Sequence, residues 1–214
     1  MSIFNFRRKA DEPYELGERI GKGSTYDFYH IKGRKRLGVK ICNGDYSRPP
    51  TDDIILEEFE KEIEIVKLLR RNNIPVPRYV GIIDVFNSEK KEFVKGLVIE
   101  IIGDETQIII FFDIEAIDSS NNTNFSIDEF TIAIDNGKKR IIEKEIEHKI
   151  CEKYKNGVCN TLNLIINNFK ISKKELSRRL DDWDFQGLYS SKSEVFYVID
   201  FELWELDKIK KILH

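Results

Sequence analysis

The chain is 214 residues long, with 41% apolar residues, 34% charged residues and a formal net charge of −3. That apolar fraction excludes global disorder and suffices for one large domain or two small lobes sharing a cleft. The intermixed signs exclude a strongly basic footprint, so no nucleic-acid partner is expected. No apolar run approaches the ~20 residues needed to span a bilayer, and none at the N-terminus forms a signal peptide. Three cysteines (Cys42, Cys151 and Cys159) without framework spacing read as free thiols. The expected setting is a reducing cytoplasm with no membrane attachment.

Residues 1–13 read as a tail, its basic cluster Phe6-Arg7-Arg8-Lys9 a solvated terminus. From Tyr14 to Cys42 the pattern predicts three short strands. Tyr14, Leu16 and Ile20 lead in, Gly21-Lys22-Gly23-Ser24 turns, and Phe28-Tyr29-His30-Ile31 leads out. Gly33 then reverses the chain into Leu37-Gly38-Val39-Lys40-Ile41. Taken alone, the glycine pair makes a plain hairpin. Equally, glycines flanked by β-prone residues let backbone N–H groups crowd round an anion, since no Cβ blocks the approach. A lysine on the following strand favours the second reading.

Asn43-Gly44-Asp45 through Pro49-Pro50 is a break that no helix or central strand tolerates. Thr51 or Asp52 then caps a predicted helix running to about Asn72. Ile55, Phe59, Ile63, Val66 and Leu69 fall at three- and four-residue steps, the stripe of a helix packed on a core. Glu62 shares that flank, whereas Glu57, Glu58, Glu60 and Glu64 can mostly reach water. An inward carboxylate without a partner costs several kcal/mol, so Glu62 calls for a cation, and Lys40 is the candidate.

Ile74-Pro75-Val76-Pro77 ends the helix and starts an extended segment from Arg78 to Phe86. Phe93 to Ile102 reads as a buried strand. Gly103-Asp104-Glu105 separates a β-rich N-terminal lobe, residues 14–102, from a C-terminal lobe, residues 103–214. In that second lobe Thr106 to Ile117 is strand or helix, too uniformly apolar for periodicity to decide. Ser126 with Glu129 forms a capping box, yet alternating Phe130, Ile132 and Ile134 before Asn136-Gly137 equally signal a hairpin. A helix is expected from Lys138 to Tyr154 with Gly157 as its stop, and another from Thr161 to Phe169. Ser172 with Glu175 starts a basic helix through Leu180. Val195 to Ile199 is a strand, with Asp184 upstream and Asp200 at its end.

A glycine loop, a strand lysine, an inward helix glutamate and two aspartates bracketing a late strand form the set that phosphoryl transfer from ATP requires. Backbone amides cover the phosphates, a lysine pairs with them, and a carboxylate holds that lysine. One aspartate binds Mg²⁺ and another orients the acceptor hydroxyl. On these residues the chain resembles the protein-kinase-like superfamily. Gly21-Lys22-Gly23-Ser24-Thr25-Tyr26-Asp27-Phe28-Tyr29 is similar to the glycine-rich loop G-x-G-x-x-G-x-V, with Tyr26 for the third glycine and Phe28 for the valine. Gly38-Val39-Lys40 resembles the V-A-I-K strand, and Lys61-Glu62-Ile63-Glu64-Ile65-Val66 resembles the αC helix. Leu97-Val98-Ile99-Glu100-Ile101-Ile102 resembles the strand leading into the hinge.

The resemblance implies an α+β, two-lobed protein-kinase-like fold, with one main helix in a β-rich N-lobe and a reduced, mainly helical C-lobe. It implies ATP and Mg²⁺ as cofactors. Gly21, Lys22, Gly23, Ser24 and Lys40 would meet the phosphates, Glu62 would pair with Lys40, and Ile99, Glu100 and Ile102 would meet the adenine. Val198-Ile199-Asp200-Phe201-Glu202 resembles D-F-G with glutamate for glycine, making Asp200 the implied Mg²⁺ ligand. Trp183-Asp184, sixteen residues upstream, stands where the H-R-D aspartate falls, making Asp184 the implied catalytic base. Five residues after Asp184 the family's asparagine is replaced by Tyr189, leaving Gln186, Ser190 and Ser191 as polar substitutes. Twelve residues follow Glu202, without room for an activation segment, so the resemblance leans to minimal members such as the RIO kinases and the small kinase of the KEOPS complex. The implied activity is transfer of the ATP γ-phosphoryl group to a hydroxyl on a protein or small molecule. The alternative is a catalytically impaired pseudokinase acting as a nucleotide-binding or regulatory module.

Overall fold

The structure, a computed structural model, describes residues 14–23, 25–44, 50–88, 90–103, 105–112, 130–135, 140–141, 144–176, 186–190, 192–201 and 204–213. The architecture is α+β, and the chain divides into two compact units. One unit holds the chain up to Glu57 together with Tyr79–Glu100, and the other holds Glu58–Arg78 with Ile101–His214.

In the first unit, β1 (Tyr14–Lys22), β2 (Tyr26–Ile31), β3 (Arg34–Cys42), β4 (Tyr79–Asn87) and β5 (Glu92–Glu100) close into a barrel in the order β1-β2-β3-β5-β4. All neighbours are antiparallel except β1 and β4, which run parallel through the pairs Tyr14–Val85 and Glu15–Phe86. Leu16, Ile31, Val39, Ile41, Val85 and Val98 fill the interior.

The helix expected between β3 and β4 is α1 (Asp52–Arg71), which starts in the first unit and ends in the second. The Thr51 carbonyl accepts the first helical bond from the Ile55 amide at 3.1 Å, so Thr51 is the cap. Asp52 and Asp53 in the first turn and Arg70 and Arg71 in the last complement the helix dipole. Asn73, at φ +57°, ends the helix in a left-handed residue. The Ile74 amide bonds the Leu69 carbonyl at 3.0 Å and the Asn73 amide bonds the Arg70 carbonyl at 3.1 Å, a Schellman closure. Ile55, Phe59, Ile65, Val66 and Leu69 are buried, while Ile63, expected on this stripe, is half-buried at its edge.

The second unit carries a sheet as well as helices, with strand order β10-β9-β6-β7-β8. Its strands are β6 (Glu105–Phe112), β7 (Phe130–Asp135), β8 (Arg140–Ile141), β9 (Gln186–Ser190) and β10 (Val195–Ile199), all antiparallel. The apolar run after Thr106 is therefore strand as far as Phe112, and Phe130 to Asp135 follows the hairpin reading.

The two helices expected on either side of Gly157 are one, α2 (Lys144–Phe169), which packs on β7 and β10. Gly157 does not stop it: a Cβ there would lie 2.7 Å from Cε2 of Tyr189 in β9, and the glycine makes room for that ring. The helix ends instead at Lys170, at φ +51°. Thr161 Oγ1 donates to the Phe196 carbonyl at 2.9 Å and ties α2 to β10. Ser172 Oγ accepts from the Glu175 amide at 3.1 Å, as the second capping box predicts, and residues 173–176 form the helical turn it starts. A last helix, α3 (Leu206–Leu213), buries Ile209, and its Lys210 reaches Glu64 of α1 at 3.5 Å. Among the described residues no helix is long and apolar enough to cross a membrane.

Candidate functional site

Strand pairing in the glycine-rich hairpin continues to its tip, through Gly21–Phe28 and Lys22–Asp27. The Gly23 amide donates to the Tyr26 carbonyl at 3.0 Å and closes the turn on itself. A Cβ on Gly23 would lie 2.5 Å from that carbonyl oxygen, so the closure needs glycine. Asn43 holds the turn from behind: its Nδ2 donates to the Gly23 carbonyl at 3.2 Å and its amide to the Thr25 carbonyl at 3.1 Å. Of the residues expected at the phosphates, Gly21 is half-buried in the ladder, Lys22 is exposed, and Ser24 lies outside the described residues.

Tyr26 does not stand at the loop tip. It begins β2, is 6% exposed, and carries the Lys40 ammonium 4.6 Å above its ring centroid. The register explains the contact: Lys40 pairs with Phe28 and Cys42 with Tyr26, which makes Tyr26 and Lys40 diagonal neighbours on one face of the sheet. Across the same face Lys40 is level with Leu97, and Gly38 is level with Ile99. The Phe28 ring lies over Gly38, whose hypothetical Cβ would meet it at 2.3 Å. Val39 points the other way, into the barrel core. Of the expected adenine contacts, Ile99 is buried in β5 and Glu100 ends that strand exposed. Ile102 is half-buried beyond the strand, within the second unit.

One cluster escaped the sequence reading. Asp27, 4% exposed, accepts from Arg19 at 3.0 Å and from the Tyr29 hydroxyl at 3.4 Å. Burial, ahead of the Asp27 charge, pushes the Tyr29 phenol up, and the hydrogen bond to Asp27 raises the Arg19 guanidinium further. The signal was parity: Asp27 alternates with Tyr29 and Ile31, both on the core side of β2.

In the second unit Glu62 is 1% exposed, midway along a stripe whose other members, Ile55, Phe59, Val66 and Leu69, are all apolar. Asp200 follows β10 in the left-handed conformation, φ +60°, which a residue with a Cβ adopts only when its surroundings hold it there. Phe201 behind it is buried edge-on against Trp204, ring centroids 5.0 Å apart. Asp184 and Ser191 lie outside the described residues.

The β9–β10 register separates the polar substitutes for the missing asparagine. Gln186 pairs with Ile199 and so stands beside Asp200, at the open end of the hairpin. Ser190 pairs with Val195 at the turn end. Four residues of strand put it roughly 14 Å away, and its buried Oγ accepts from the Ser193 amide at 3.4 Å. Tyr189 is a buried strand residue, opposite Phe196 and Thr106. Among the described residues no three or more His, Cys, Asp or Glu side chains cluster as metal ligands. A nucleotide-borne Mg²⁺ needs only one or two protein oxygens beside the phosphates, and at this end of the hairpin Asp200 and Gln186 are side chains that carry such oxygens. No protein-family model and no curated protein matches the chain.

Proposed function

We propose that this chain binds Mg·ATP and transfers the γ-phosphoryl group to a hydroxyl of a protein or small molecule. Glu62 carries the reading. A carboxylate buried in the middle of an apolar helix stripe contributes nothing to packing that leucine would not, and costs several kcal/mol without a cation. A phosphate-binding lysine held by that carboxylate accounts for it.

In this reading Lys40 pairs with the phosphates and with Glu62, and Ile99, Glu100 and Ile102 meet the adenine. Asp200 and the Gln186 amide oxygen would hold Mg²⁺, which when bound would neutralise charge on the phosphates. Asp184 takes the proton of the acceptor hydroxyl as its oxygen bonds to the γ-phosphorus. The bond from that phosphorus to the bridging oxygen breaks, and ADP leaves with the electron pair. Mg·ATP should raise the melting temperature of the wild type, and Asp200→Ala should remove most of that rise; no stabilisation at millimolar ATP overturns the proposal. Transfer of radiolabelled γ-phosphate that is lost in Asp184→Asn, with nucleotide binding retained, identifies an enzyme.

A second reading, a nucleotide-binding module without turnover, draws on the engaged Gly23 amide and on Tyr189, a strand residue in place of a metal-binding asparagine. Nucleotide binding without label transfer across a broad acceptor panel selects it.

A further inference from the structure

Resting on the ATP reading, we infer that Tyr26 is a positioning residue for polyphosphate: its ring face supports the Lys40 ammonium and aims it at the phosphate chain. Lysine has a long, freely rotating stem, and an ammonium in water samples many positions. Here the ammonium is 4.6 Å from the centroid of a ring that is itself buried and fixed at the start of β2. The ring's negative face attracts the cation without neutralising it, so the charge stays available to an anion.

The hairpin makes this support matter. Gly23 has committed its amide to the Tyr26 carbonyl, and Asn43 holds the Gly23 and Thr25 carbonyls. With that amide engaged in the turn, more of the anion recognition falls on the side-chain cation. The side chain that fills the third-glycine position is thus an aromatic platform under the lysine.

The test compares wild type, Tyr26→Phe, Tyr26→Leu and a protein with pentafluorophenylalanine in place of Tyr26, which keeps the ring's shape and removes its negative face. Affinities for inorganic tripolyphosphate, ATP and adenosine are measured by calorimetry, with circular dichroism and melting to establish folding. Tyr26→Phe should bind all three within about twofold of wild type, while the leucine and pentafluoro proteins lose about three- to tenfold for tripolyphosphate and ATP and nothing for adenosine. The Lys40 ε-methylene protons, shifted upfield by the ring in wild type, should lose that shift in Tyr26→Leu. A folded pentafluoro protein that binds tripolyphosphate like wild type overturns the inference, as does Tyr26→Phe falling as far as Tyr26→Leu. Wild type that binds tripolyphosphate but not ATP removes the ATP reading and leaves this one standing. Wild type that binds neither ends both.

Discussion

Tyr189 of β9 lies so close to Gly157 of α2 that a Cβ on the glycine would approach its ring to 2.7 Å, with the Glu194 carbonyl at 3.1 Å on the same side. Alanine is the better helix former by about 1 kcal/mol, yet overpacking at such a contact costs about 1–3 kcal/mol. Gly157→Ala should therefore lose stability by about 1 kcal/mol net. Denaturant titration with an unchanged slope checks it, and a more stable variant would show that the helix and strand separate freely.

That contact also marks where sequence reading stops. The barrel strands, α1 with both its ends, and the burial of Glu62 were legible because each is written in local alternation, helical spacing or capping residues. Gly157 reads as a stop because its reason for being glycine is a strand some thirty residues later. The run after Thr106 has no period of its own, and pairing with β7 and β9 makes it a strand. Tyr26 reads from sequence only as the substitute for a loop glycine, because the length of the turn is not written in local spacing. Gln186 could be told from Ser190 only by strand register.

Glu62→Leu completes the apolar stripe of α1. Its stability should stay within about 1 kcal/mol of wild type, or rise, because half-buried Lys40 can turn its ammonium to water once the carboxylate is gone, while the Mg·ATP-induced shift in melting temperature disappears. Differential scanning fluorimetry with and without nucleotide reads both at once. A loss of several kcal/mol would mean that the carboxylate is kept for the fold.

Alkaline stability should depend on Tyr29. Burial and then the neighbouring Asp27 charge raise its phenol above the ordinary value, so the folded state favours the neutral form. The contribution is present in full below the unfolded value of about 10 and is lost as pH rises through the higher folded value. Urea titrations between about pH 8 and 11.5 should show a shallower decline for Tyr29→Phe than for wild type. Lys95 is also raised above its ordinary value, by its hydrogen bond to Asp84, and is common to both proteins, so the readout is the difference between them. Parallel curves would remove Tyr29 from the account.

Metal dependence should distinguish the two ends of the β9–β10 hairpin. Gln186→Ala should weaken the Mg²⁺-dependent part of ATP binding by roughly tenfold and spare binding in EDTA, whereas Ser190→Ala should change neither. Titration of Mn²⁺ into the nucleotide complex, followed by electron paramagnetic resonance, measures this without any turnover. An effect of Ser190→Ala equal to that of Gln186→Ala would contradict the register argument.

Phe28 over Gly38 has a counterpart in the other sheet, where Phe196 lies over Gly187 and a Cβ would meet its ring at 2.1 Å. In both cases the glycine is two residues before the strand partner of the phenylalanine. Each pair behaves as one unit of volume divided between two positions. Gly38→Ala alone should unsettle the first unit, and Phe28→Val should rescue it. Across descendants of this chain the two positions are therefore expected to drift together, so that a bulkier residue at 38 predicts a slimmer one at 28. Ancestry would then be recorded in correlated changes between neighbouring strands, where residue-by-residue resemblance has faded.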